Sequence, residues 1–196
     1  MIYLIGVNHE RAQRRKHREG LTCCLLKFRS VVESAIQSIH PGLIAEEDHP
    51  DFLSRDRADS ILLEIATDHG IRDRHRFVDP NQIEREQIGY NPQPGLGPDR
   101  VPAMALEIVL HFPKREEFWL RKLRDSLLGD ILFVCGWGHL ESFSSLLARE
   151  GVSVSVLATS IGACCCDLEF DREVRQYIRD NAEWLGSRKR SSLRQS

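Results

Sequence analysis

The sequence predicts an α/β fold in three layers, with helices on both faces of an open, mostly parallel sheet. Three observations carry that expectation. Short apolar runs of strand length alternate with stretches whose apolar residues recur every three to four positions. The runs at Ile2–Val7 and Ile131–Cys135 are apolar throughout, as strands covered on both faces must be. Most of the intervening stretches are long enough for the helical crossover that parallel neighbours need.

Residues 2–8 form the first strand, followed by a charged segment from Glu10 to Glu19 that reads as a solvated face. Leu25, Phe28, Val32, Ala35, Ile36 and Ile39 then mark an amphipathic helix that Pro41-Gly42 ends. Leu43-Ile44-Ala45 is a short strand running into Glu46-Glu47-Asp48. Ala58, Ile61, Leu62, Ile65 and Ala66 place a second helix before Gly70. Arg76-Phe77-Val78 is a third strand, closed by Asp79-Pro80. The segment Gly89–Pro102 holds three glycines and four prolines, the composition of a lid or binding loop. A helical region from Ala103 to Leu128 follows, with a break or kink expected at Pro113. The fourth strand is 131–135, the next helix carries Leu140, Phe143, Leu146 and Leu147, and 152–157 alternates as a fifth strand. A last helix spans about Arg172 to Leu185. The domain therefore covers 1–185, and the basic, serine-rich stretch 186–196 is expected to be a disordered tail.

Composition narrows the classes of function. A chain of 196 residues can bury roughly 70% of its unfolded surface in one domain without disulfide or metal staples. Twenty-seven basic residues against 29 acidic ones leave a net charge of -2, so nucleic acid is not an expected partner, although Arg11–Arg18 could touch phosphate. No run approaches the ~20 apolar residues of a membrane span, and the start has neither the basic segment nor the cleavage site of a leader. A cytoplasmic location without membrane contact is expected. The cysteines at 23, 24, 135, 164, 165 and 166 match neither a disulfide framework nor a Cys-x-x-Cys metal site.

Chemistry concentrates at the strand exits. Parallel strands with right-handed crossovers bring their carboxyl ends to one edge, where open α/β sheets bind ligands. That edge would collect His9, Glu46 or Glu47, Asp79 and His139. Two imidazoles with carboxylates suit a divalent Mn, Zn, Co or Fe ion, and His9, Glu46, His139 and Asp79 are the candidate ligands. Without a metal, His9, Glu46, Glu47, His139 and Arg115 can do acid/base work, with the arginine stabilising developing negative charge. Strand alternation prevents Glu46 and Glu47 from facing the same way, and Glu46 is marginally preferred as ligand or base. Asn8, Trp137, Glu116 and Ser160 are candidate substrate contacts. Gly136-Trp-Gly138 starts like a dinucleotide fingerprint, but Glu141 stands in place of its third glycine. Thr159-Ser160-Ile161-Gly162 lacks the first glycine of a nucleophile elbow.

The spacing Gly-x-x-His occurs at Gly6-Val-Asn-His9 and again at Gly136-Trp-Gly-His139, with Glu46-Glu47 between. This pattern resembles the erythromycin-esterase, TraB/TIKI and ChaN-like superfamily. The resemblance implies an α/β fold in which His9, Glu46 or Glu47 and His139 surround one pocket. Members of that group include hydrolases, metal-dependent proteases and a haem-binding protein, so it implies a site and not one reaction. The chain lacks a membrane segment like those of the protease branch. The expectation is a small hydrolase-like enzyme acting on a small molecule or peptide, with a metal-assisted variant open. The alternative is a non-catalytic module that binds a small effector in the same pocket.

Overall fold

The computed structural model describes residues 1–16, 22–90 and 100–193. Its strands in chain order are β1 (Ile2–Val7), β2 (Arg14–Lys16), β3 (Leu43–Glu46), β4 (Ala58–Ser60), β5 (His75–Phe77), β6 (Ile131–Gly136) and β7 (Val154–Ile161). Its helices are α1 (Cys23–Ile39), α2 (Pro50–Asp56), α3 (Ile61–Asp68), α4 (Gln82–Gln87), α5 (Arg100–Leu106), α6 (Phe112–Leu123), α7 (Leu140–Arg149), α8 (Cys165–Asp180) and α9 (Ala182–Leu193). Five strands make an all-parallel sheet in the order β5-β3-β6-β1-β7. The expected α/β architecture is therefore present, and β1 and β6 lie side by side at its heart.

Alternation along the strands divides the core. Leu4, Ala45, Phe133 and Cys135 pack with Phe118, Trp119 and Leu123 of α6 and with Phe143 and Leu147 of α7. Ile5, Val7, Ile44, Leu132 and Val134 pack on the opposite face with Phe28 and Val32 of α1 and Leu62 and Ile65 of α3. Each fully buried large aliphatic or aromatic side chain contributes about 1.5 to 3 kcal/mol, so these two apolar layers hold the strand tips in place. Helix α1 starts where the Thr22 hydroxyl accepts from the Leu25 amide (3.3 Å), and it stops at His40 in the left-handed region (φ 53°) before Pro41.

The structure corrects several sequence expectations. Ala58 does not open the second helix. It belongs to β4, which pairs antiparallel with β2, and the helix starts at Ile61 with Ser60 as its cap. The expected break falls just before Pro113, where a π turn at Glu107–His111 separates α5 from α6. Pro113 itself stands in the first turn of α6, where its missing N–H costs nothing. Helix α5 begins at Arg100, inside the stretch expected to be irregular, of which residues 91–99 lie outside the described residues. The fifth strand extends to Ile161, so Ser160 is within it instead of beyond its tip. The last predicted helix is two, and α9 runs through Leu193 where an unstructured tail from Gly186 was expected.

Two single π turns interrupt the regular pattern, at His9–Gln13 and Glu107–His111. Each is closed by an amide five residues on: Arg14 N–H donates to the His9 carbonyl, and Phe112 N–H to that of Glu107. Such turns re-aim side chains locally and are frequent at functional sites. Both turns border the same cleft.

Candidate functional site

The register Val7↔Gly136 puts the ends of β1 and β6 level, so the two Gly-x-x-His segments leave the sheet as neighbours. Gly6 leaves room for the start of α7. A Cβ there would sit 2.4 Å from Leu140 Cδ1 and 2.7 Å from the Thr159 carbonyl. Gly136 serves the other motif, because a Cβ there would lie 2.9 Å from His9 Nε2 and 3.3 Å from Glu47 Oε2. The glycine of the second motif therefore makes space for the histidine of the first.

Glu47 is the hub. It continues the alternation of β3 onto the α6 side of the sheet, where its Oε2 accepts from the Gly136 amide (2.7 Å) and its Oε1 from Arg115 (2.5 Å). His9 Nε2 lies 3.4 Å from Oε2, and His139 Nε2 lies 3.5 Å from Oε1. Burial pushes this carboxyl towards its neutral form, but Arg115, His139 and His9 outweigh it and hold Glu47 well below the usual carboxylate range. For His9, burial opposes charge and the Glu47 carboxylate overcomes it, raising its pKa above the ordinary 6.5.

Each ring is also held from behind. His139 shares Nδ1 with Glu116 Oε1 (2.9 Å), stacks on Phe112 with centroids 3.5 Å apart and meets the Trp119 edge at 4.7 Å. Ser142 donates to the same Glu116 oxygen. His9 Nδ1 lies 2.6 Å from Gln13 Oε1, its partner at the far end of the first π turn. Arg115, from α6, donates through Nε and Nη2 to Asp79 (3.1 and 2.6 Å), and its Nη1 lies 3.4 Å from His139 Nε2. The neighbouring carboxylates of Asp79 and Glu47 offset its desolvation and keep it charged.

The four predicted groups His9, Glu47, Arg115 and His139 therefore meet in one place, together with Asn8 and Trp137 on the cleft wall. Glu116 bonds His139 and is not among the lining residues. Three other expectations do not reach the cleft. Glu46 points to the opposite face of the sheet, fully buried against Gln13, Ser60 and His75, because one residue of strand reverses the side chain's direction. Asp79 lies behind Arg115, its oxygens accepting from Arg115, Arg85 (2.6 Å) and the Trp119 indole (3.1 Å). Ser160, partly buried in β7, is not among the lining residues. Within the basic segment, Arg11 pairs with Asp167, and Arg14 with Asp48 and Asp56.

The four candidate metal ligands are not brought together, since His9 and His139 line the cleft and Glu46 and Asp79 do not. Arg115 already supplies the positive charge between Glu47 and His139, while Glu46 and Asp79 are bonded elsewhere. Among the described residues, no group of three or more His, Cys, Asp or Glu side chains is arranged to hold one.

The cleft holds about 570 Å³, within the range of small-molecule sites. Its polar floor is the His9–Glu47–Arg115–His139 cluster. Its far wall, which the sequence reading missed, comes from Met104, Ile108 and Phe112 on one helical path and from Phe170 and Val174 on α8. Spacings of four in both segments, 104-108-112 and 170-174, were a visible signal of one shared helical face. Among the described residues no helix is long and apolar enough to cross a membrane. No family model, curated protein or solved structure matches the chain.

Proposed function

We propose that the cleft hydrolyses a small substrate with an apolar portion, using the two histidines as acid and base. The observation that carries this reading is the placement of two imidazoles on opposite oxygens of one buried, ionised carboxylate, each ring anchored through Nδ1 and aimed through Nε2. Glu116 orients His139, whose Nε2 takes a proton from water as the oxygen attacks a carbonyl carbon. Arg115 stabilises the charge that collects on the carbonyl oxygen. His9, kept protonated by Glu47, gives a proton to the leaving atom. Its side chain is 25% exposed against 4% for His139, the difference expected between a group meeting a departing fragment and one at the floor. The apolar wall would take the rest of the substrate. The convergence of the paired Gly-x-x-His segments is in keeping with the resemblance to the erythromycin-esterase, TraB/TIKI and ChaN-like superfamily.

The test is turnover of a panel of esters, amides and lactones with apolar acyl groups, with and without chelator and added Mn, Zn or Co. His139→Ala and Glu47→Gln should each lower kcat by about 10² to 10⁴-fold. Turnover abolished by chelator and restored by one ion would replace this scheme with the metal-assisted variant. Ligands that raise the melting temperature without any turnover would replace it with a binding module.

A further inference from the structure

We propose that Gln13 and Glu46 are positioning residues that fix the ring tautomer of His9, with its neutral form carrying hydrogen on Nδ1. Neither residue reaches the cleft, and both are fully buried. Glu46 Oε1 accepts from the Ser60 hydroxyl (2.6 Å) and lies 2.7 Å from His75 Nε2, while Oε2 is 2.5 Å from Gln13 Nε2. A carboxylate oxygen only accepts, so the Gln13 amide must turn its NH₂ to Glu46. That leaves Gln13 Oε1 facing His9 Nδ1 at 2.6 Å. A carbonyl oxygen also only accepts, so the hydrogen between them belongs to His9. The Nε2 lone pair is then directed to Glu47 and the cleft, and it is the atom that gains and loses the proton.

Two features build the route. The π turn brings positions 9 and 13 together, and β3 sends consecutive glutamates to opposite faces, one to each nitrogen side of the same ring. A buried glutamine is well suited to the middle position. It has a donor and an acceptor but exchanges no proton, so it transmits orientation while insulating His9 from the Glu46–His75 pair. Only the use of His9 as an acid rests on the hydrolytic reading; its tautomer does not.

Long-range ¹H–¹⁵N correlation of the histidine rings in the full chain, titrated to alkaline pH, reads this directly. His9, assigned by loss of its signals in His9→Gln, should show the Nδ1–H pattern when neutral. Gln13→Leu should lose that pattern in favour of Nε2–H or a mixture, and Gln13→Glu, which still accepts from Nδ1, should keep it. A wild-type His9 with Nε2–H, or an unchanged pattern in Gln13→Leu, would overturn the proposal. The wild-type spectrum decides even if the leucine variant fails to fold. The Nδ1–H pattern in a protein that turns over no substrate would leave this inference standing and count against hydrolysis alone.

Discussion

Gly6 and Gly136 occupy equivalent places in their motifs, yet they do different jobs, and substitution should separate them. A methyl at Gly6 meets a backbone carbonyl as well as the Leu140 side chain, and the carbonyl cannot move without shifting β7. Gly6→Ala should therefore destabilise the fold by about 1 to 3 kcal/mol, as overpacking does, read as a lower urea midpoint with an unchanged slope. At Gly136 the obstructed atoms are the tips of His9 and Glu47. Because His9 is partly exposed, it can swing away at small cost. Gly136→Ala should retain most of the stability but lose the pairing, seen as a fall in the His9 pKa towards 6.5 in an NMR titration. Equal loss of stability in both variants, with His9 unmoved, would refute this division.

At the scale of elements, the cleft depends on how α5 is phased against α6. Arg115 and Glu116 follow the second π turn, and Met104 and Ile108 lie before or within it. Inserting one alanine after Ala105, within the regular helix of α5, would rotate the residues before it, Met104 among them, by about 100° relative to α6. The expected result is a folded protein, with its far-UV circular dichroism preserved, that no longer binds a ligand recognised by the wild type. Retained binding would show that the apolar wall is unimportant. The strands of the parallel sheet, and the tips of the first and fourth, were legible in the sequence because apolar runs ending in Gly-x-x-His signal both burial and a turn. The choice between Glu46 and Glu47 was not legible, since it depends on which sheet face α6 covers, a tertiary fact. Arg115, picked out by its charge and its position after Pro113, does line the cleft. Gln13 was hidden inside a basic segment, its only signal being the spacing of four from His9.

For the whole molecule, these ionisations make stability depend on pH in a specific way. Glu47 has a folded pKa below its ordinary 4.5, so its contribution is present above 4.5 and is lost as pH falls through the folded value. His9 has the opposite sign. Its folded pKa lies above 6.5, so its contribution is complete below 6.5 and is lost as pH rises through the folded value. Other groups oppose these trends, among them Asp48, which burial raises above 3.8 so that the fold loses stability as it ionises, and His111, which burial lowers so that the fold gains stability as pH rises towards 6.5. The net curve alone therefore cannot identify His9, but a difference curve can. Urea unfolding of wild type and His9→Gln from pH 5 to pH 9 should give curves that run parallel at the acid end and converge above pH 6.5. One proton limits the difference in slope to about 1.4 kcal/mol per pH unit. Curves that stay parallel across the whole range would show that Glu47 does not stabilise the charged ring, and the proposed acid would lose its source of protonation.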